Sequence, residues 1–313
     1  MTSFPPGLLP EGLRDRLPGE AAAAARTTRA ILDTIEARGF DRISPPLVEY
    51  EDTLAARLKS SRTDLARFVD PLSQRTLAIR PDITPQIARI VSTQLSGVAR
   101  PLRLAYAGPV LKLSASKLNP QREMMQVGAE LIGSDSAKAA CEIVGIAVDA
   151  LEAAGVTGLT VDLTLPDLVQ TVAGLILKPE RIAELDALLD MKDAGGLATA
   201  GFSDWLPLIA ATGTVGPALA VLRRFDHAGL MTSRIDGVEA VAASLTNKNV
   251  RVTLDPTERH GFEYQSWFGF SLFVTGLPNA IGRGGSYLIA HADGHEEPAT
   301  GFSVYPDTLL KEI

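Results

Sequence analysis

The segment Arg122-Glu-Met-Met-Gln-Val-Gly-Ala-Glu-Leu-Ile-Gly133 constrains the fold more than any other stretch of this chain. Read as one strand, its side chains alternate faces with period 2. One face carries Arg122, Met124, Gln126, Gly128 and Glu130; the other carries Glu123, Met125, Val127, Ala129 and Leu131. The second set is mostly apolar and belongs against a core. The first sets an amide and a carboxylate on either side of a glycine, which leaves an open slot for something small. A ligand with an ammonium and further hydrogen-bonding groups suits that slot, because a buried carboxylate or amide is tolerated only when paired. Taken alone, the ordinary reading is an antiparallel strand with one solvated face. The surrounding segments shift that balance.

Leu102 to Tyr106 and Pro109 to Leu113 read as strands, and with the loop Ser114 to Gln121 they form a long antiparallel hairpin with the segment above. Upstream, Glu20 to Arg38 is alanine-rich without internal Gly or Pro, a helix of about five turns closed by Gly39. Phe40 to Glu49 holds a short strand and an extended Pro45-Pro46 break. Thr76 to Arg80 is a strand running into Arg80-Pro-Asp-Ile-Thr-Pro-Gln-Ile-Ala-Arg89, with Thr84 as N-cap and Pro85 at the first helical position. Asp82 and Thr84 then sit on a strand-to-helix turn, where such side chains either meet ligands or only cap the helix, plain capping weighing more for Thr84 than for Asp82.

Downstream, Asp135 to Ala154 is an amphipathic helix and Leu159 to Leu163 a strand. Between 167 and 248 apolar residues recur at three- and four-residue spacing, broken at Gly195-Gly196 and Gly213, a mainly helical insertion into a core made of 1–166 and 249–313. Strands return at Val250–Leu254 and Phe262–Val274. The chain closes through Gly282–Tyr287, Pro298–Phe302 and a short helix to Ile313. Hairpin-spaced strands with helices before and between them, and no βαβ alternation, predict an α+β fold with an antiparallel sheet flanked by helices.

Composition removes several functions. An apolar content of 46% with 21% charged residues over 313 positions is that of a globular protein with a substantial core. Cys141 is the only cysteine, so an intrachain disulfide and a cysteine zinc site are excluded, and its helical setting makes it a structural thiol. A net charge of −7 with no dense basic stripe argues against nucleic-acid binding. Apolar runs are cut by charges below membrane-spanning length, and the first residues lack a signal-like pattern, so cytoplasmic residence is expected. There is no Walker motif, and Gly282-Arg-Gly-Gly285 lacks the dinucleotide fingerprint, so no cofactor is expected. Asp293-Gly294 marks a turn between His291 and His295, which argues against a zinc pair.

Several motifs, in order, resemble the catalytic core of histidyl-tRNA synthetase, a class II synthetase fold, and more closely its paralogue family, the ATP phosphoribosyltransferase regulatory subunits. Leu9-Pro-Glu-Gly-Leu-Arg-Asp-Arg-Leu-Pro18 resembles the family's opening segment, and Gly39 to Glu49 resembles motif 1, which there builds the dimer interface. Arg80 to Arg89 is similar to the segment whose acid and threonine hold the amino acid. Tyr106–Lys112 through Gln126–Glu130 resembles motif 2, and Gly284–Tyr287 with Pro298–Phe302 resembles motif 3. The resemblance implies a histidine-like ligand held by Asp82, Thr84, Lys112, Gln126, Glu130, His260, Tyr264 and Tyr287.

The departures bear on function. A synthetase places arginines against ATP phosphates and the charge of adenylate formation. The motif 2 arginine corresponds to Lys112, which loses the planar fork, and the motif 3 arginine to Thr308, which loses the charge as well. The family's Arg-Gly-Leu-Asp-Tyr-Tyr reads here as His260-Gly-Phe-Glu-Tyr-Gln265, so its arginine becomes His260 unless a one-residue slip brings in Arg259. The sequence also ends soon after motif 3, so no anticodon-binding domain is expected. The resemblance thus implies a non-aminoacylating regulatory subunit for the first step of histidine biosynthesis. Its expected partners are the catalytic subunit, which transfers phosphoribosyl to ATP, a second copy in a homodimer core, and free histidine. The alternatives are a histidyl-tRNA synthetase-like ligase, active or degenerate, and an amino-acid-binding module with another partner.

Overall fold

The computed structural model describes residues 7–55, 65–113, 121–174, 176–259, 261 and 265–309. The alanine-rich segment forms α1 (Pro18–Ala37), with Gly39 taking the left-handed conformation (φ 79°) that turns the chain out of the helix. Short strands β1 (Asp41–Arg42) and β2 (Val48–Tyr50) flank the Pro45-Pro46 break, followed by α2 (Glu51–Ala55), β3 (Arg67–Val69) and β4 (Thr76–Ile79). Next come α3 (Thr84–Thr93), β5 (Leu102–Leu111), β6 (Glu123–Ile132), α4 (Ala137–Ala153) and β7 (Leu159–Thr164).

The following stretch contains α5 (Leu168–Ala173), α6 (Pro179–Asp190), α7 (Ala194–Thr199), α8 (Leu206–Ala210), the two-residue β8 (Gly213–Thr214), α9 (Val215–Phe225) and α10 (Thr232–Ser244). The chain finishes with β9 (Val250–Leu254), β10 (Gln265–Val274), β11 (Gly282–Ala290), β12 (Glu296–Val304) and a 3₁₀ turn at Pro306–Thr308.

Two sheets result among the described residues. The large one has nine strands in the order β1-β5-β6-β12-β11-β10-β7-β9-β8, and the small one has the order β2-β4-β3. The centre of the large sheet is antiparallel, as the hairpin spacing predicts. Its flanks depart from that prediction, because β1 pairs with β5 and β7 pairs with β9 in parallel. The β7–β9 connection runs through the helices α5 to α10, long enough to return the chain in the same direction.

The two segments read as separate strands around Gly108 are one strand, β5. Its Pro109 has no N–H to give, and β1 reaches only Leu104 and Ala105, so the proline lies where that side of β5 is an edge. The strand Glu123–Ile132 has no solvated face. Val127, Ala129 and Leu131 pack with α1, α4 and the helices after β7 in one continuous apolar cluster. Met124 and Ile132 pack on the other side with Ile83, Ile87 and Val91 around α3. Burial on both faces places the polar residues of this strand inside the molecule.

Candidate functional site

Register determines what surrounds Glu130. In the β5–β6 hairpin Tyr106 pairs with Gly128 and Gly108 with Gln126, and across the other edge Gly301 pairs with Glu130 and Ser303 with Gly128. Glu130 and Gln126 are each 1% exposed. The slot expected at Gly128 is filled from within the chain: a Cβ there would stand 2.5 Å from the Tyr106 hydroxyl. Gly128 is small because its cross-strand partner is a large tyrosine lying over it. This corrects the expectation of a ligand-sized opening at that position.

The hydroxyls converge on Glu130. Tyr287 Oη donates to Oε2 at 2.9 Å, Tyr106 Oη to Oε1 at 3.1 Å and Thr84 Oγ1 to Oε1 at 3.2 Å. Gln126 anchors the other end. Its Nε2 donates to Asp82 Oδ1 at 2.7 Å and to Ser303 Oγ at 2.8 Å, while its Oε1 accepts from Ile83 N at 2.8 Å. Ser303 Oγ lies 2.8 Å from Tyr106 Oη. With one proton per hydroxyl, one consistent chain runs from the Gln126 amide through Ser303 and Tyr106 to Glu130.

Burial pushes the Glu130 carboxyl up to about 8, against the pull of the three hydroxyls that bond it. Burial also raises the Tyr106 hydroxyl well above its ordinary range, with the Glu130 charge adding to it.

The turn before α3 is held by Arg80, a buried guanidinium that meets carbonyls instead of a carboxylate. Nε donates to Pro109 O and Nη1 to Pro45 O, both at 2.9 Å, and Nη1 also reaches Gln86 Oε1 at 3.2 Å. Thr84 is not the N-cap: α3 begins at Thr84, and Ile83 precedes it without a side-chain cap. The capping contact is instead Asp82 Oδ1 accepting from Thr84 N at 3.0 Å, which leaves the threonine hydroxyl for Tyr106 and Glu130. Pro85 is then the second helical residue.

Of the residues named from sequence, Asp82, Thr84, Gln126, Glu130 and Tyr287 come together. Lys112 makes no hydrogen bond to them among the described residues but lies near Asp82 and Arg283, with its ammonium 4.9 Å from the centre of the Tyr305 ring; burial lowers its pKa and the Asp82 charge raises it. His260 and Tyr264 lie outside the described residues. Arg259, the alternative to His260, is ion-paired with Asp186 on α6, and its N–H donates to Asp190 at 3.0 Å. Sequence reasoning missed Tyr106 and Ser303. Pairing the hairpin symmetrically about its loop would have put Tyr106 opposite Ala129, one residue off the observed partner Gly128 and so on the wrong face, and Ser303 carries no signal beyond lying two residues after Gly301.

Beside Glu130 a small cleft opens between Thr84, Gln265, Arg283, Tyr287 and the glycines 284, 285 and 301, with room for about one water molecule. Its lining combines the acceptors Glu130 and Gln265 with the cation Arg283. Among the described residues no three of His, Cys, Asp and Glu gather as metal ligands, and no helix is long and apolar enough to cross a membrane.

A family model for histidyl-tRNA synthetase matches residues 12–309. The chain is 39% identical to the ATP phosphoribosyltransferase regulatory subunit of Rhodospirillum centenum, over 98% of this chain and 80% of that one. Among solved structures, it resembles an ATP phosphoribosyltransferase regulatory subunit/histidyl-tRNA synthetase from Bacillus halodurans. The TM-score there is 0.85 at 24% identity, over 99% of this chain and 84% of the other. It also resembles a chain of the ATP phosphoribosyl transferase (HisG:HisZ) complex from Thermotoga maritima. That match has a TM-score of 0.71 at 17% identity, over 90% of this chain and 97% of the other. At these identities the two structures speak to the fold alone.

The helix-flanked sheet and the carboxylate network on its α3 side define a class II synthetase-like protein of the histidyl-tRNA synthetase type. Within that class, the chain belongs to the family of ATP phosphoribosyltransferase regulatory subunits.

Proposed function

We propose that this chain is the regulatory partner of a catalytic ATP phosphoribosyltransferase subunit, makes no aminoacyl-adenylate itself, and binds free histidine beside Glu130, the small cleft there widening to admit it. The observation that carries the reading is the 39% identity to a regulatory subunit across 98% of the chain. The phosphate side supports it. Lys112, in place of the synthetase's motif 2 arginine, lies over Tyr305, and the Thr308 hydroxyl, in place of the motif 3 arginine, bonds Tyr305 O at 2.7 Å. Neither presents a fork to a triphosphate. Residues 1–166 and 249–313 serve in this reading as the synthetase-like core, with 167–248 as an appended helical module.

A homodimer core belongs to the same reading. Tyr50, Leu77 and Phe68 are cross-strand neighbours on one face of the small sheet, and Val48 pairs with Ile79 beside them. Tyr50 and Phe68 are 37% and 46% exposed, an apolar face next to the motif 1 segment that a second copy would cover.

The test is to purify the full chain and the catalytic subunit separately and assay phosphoribosyl transfer to ATP, alone and mixed. Activity that appears or rises on mixing is the expected result. Activity indifferent to this chain, or histidine-dependent exchange of pyrophosphate into ATP by this chain alone, overturns the reading.

A further inference from the structure

Glu130, Gly301, Gly285, Gly269 and Thr164 form one cross-strand row over β6, β12, β11, β10 and β7. Three consecutive glycines leave a floor without side chains on the face that carries Glu130, and Thr164 closes its far end. The Thr164 hydroxyl donates to Glu258 O at 2.7 Å, which ties the floor to residues 255–259 after β9. Two positions on, a Cβ on Gly261 would overlap Nη1 of Arg283, the cation that lines the cleft. Residues 255–259 and Gly261 thus stand at one end of the floor and against its cation.

This segment is held in turn by α6. Arg259 N–H donates to Asp190, and the Arg259 guanidinium pairs with Asp186, both on that helix. A further tie comes from Lys192, two residues past the helix end. Its ammonium donates to Asp255 Oδ1 at 2.7 Å and to Thr257 Oγ1 at 2.6 Å, and Thr257 is buried. Lys192 adopts φ 54°, in the left-handed region, at the position after the helix cap where glycine is the usual occupant. A lysine is strained there, and such strain persists where the surroundings hold it for a purpose. What lysine brings that glycine lacks is the ammonium, and the ammonium goes to Asp255 and Thr257.

We propose that Lys192 is a positioning residue through which α6 sets the geometry of the cleft. By clamping Asp255 and Thr257 it presents the Glu258 carbonyl to Thr164 and Gly261 to Arg283. The consequence for a ligand rests on the reading above that histidine binds beside Glu130. With the clamp open, the end of the floor and its cation are less preorganised, and histidine binds more weakly. The helices after β7 thereby act on the ligand site without touching the ligand.

The experiment compares the full chain as wild type, Lys192→Gly, Asp255→Asn and the double variant. It reads amide hydrogen exchange over 255–259, L-histidine affinity by calorimetry, and thermal unfolding. Glycine suits the left-handed backbone, so Lys192→Gly should fold and melt within a few degrees of the wild type. Expected for it are exchange over 255–259 faster by roughly tenfold, exchange in β6 unchanged, and histidine affinity lower by roughly fivefold. Asp255→Asn should add little once Lys192 is gone, because the two act as a pair. Unchanged exchange in Lys192→Gly, or losses that add in the double variant, overturns the clamp. Faster exchange with histidine affinity within about twofold of wild type reduces Lys192 to a structural tie and overturns the positioning role. No heat from histidine with the wild type removes the histidine reading alone, because the exchange measurement needs no ligand and still decides the clamp.

Discussion

Replacing Glu130 by glutamine should change the pH dependence of stability more than any other single exchange at this site. The carboxyl sits at about 8 in the folded chain against 4.5 for an ordinary glutamate, chiefly because it is buried. Between those values the folded state holds a proton that the unfolded chain releases. Wild-type stability from this group is therefore complete below about pH 4.5 and is lost progressively as pH rises to about 8. At roughly 1.4 kcal/mol per pH unit the gap converts to about 5 kcal/mol, an order-of-magnitude figure.

Glutamine keeps an acceptor and a donor for the surrounding hydroxyls and does not titrate. The assay is urea unfolding of both proteins from about pH 5 to about pH 9, comparing their free energies at each pH so that other titrating groups cancel. The two should be similar at about pH 5, and Glu130→Gln should be the more stable by about 3–5 kcal/mol at about pH 9. A difference that is flat in pH would refute the assignment of burial as the dominant cause. A wild type that gains on the variant as pH rises would mean that the hydroxyl bonds, not burial, dominate the carboxylate.

Two further outcomes follow from the packing. Gly301→Ala drives a methyl group into the Glu130 carboxylate and should cost about 1–3 kcal/mol in urea unfolding, with Tyr287 losing its alignment on that carboxylate. Phe68→Asp on the exposed face of the small sheet should leave the melting temperature within a few degrees and convert a homodimer to monomer in light scattering; a monomeric wild type at micromolar concentration would sink the dimer instead.

How much was legible depended on the range of the interaction. α1 and its glycine stop, the β5–β6 hairpin and the two-faced β6 follow from period, breakers and length, which are properties of neighbours in sequence. The polar residues of the turn before α3 and of β6 were legible as a set because the motifs place them. Their roles were not. Thr84 looks like a cap in sequence, since Ser and Thr before a proline usually are; the fold gives it a tyrosine and a carboxylate that lie on other strands. Gly128 looks like room for a ligand, and Tyr106 takes that room.

Sequence by itself determined that β5 and β6 pair as a hairpin, which face of β6 is polar, and that the residues of a class II core recur in order. Tertiary structure alone decided that the polar face of β6 is covered as well as the apolar one, that Tyr106, Ser303 and Tyr287 satisfy Glu130 and Gln126, and that three glycines from three strands line one floor. The reason is geometric. A side chain's face is set by local periodicity, but its partners and its dielectric surroundings are set by strand order. Here the strands beside β6 come from positions 102–111 and 296–304. No pattern within β6 records what the chain will bring against it nearly two hundred residues later.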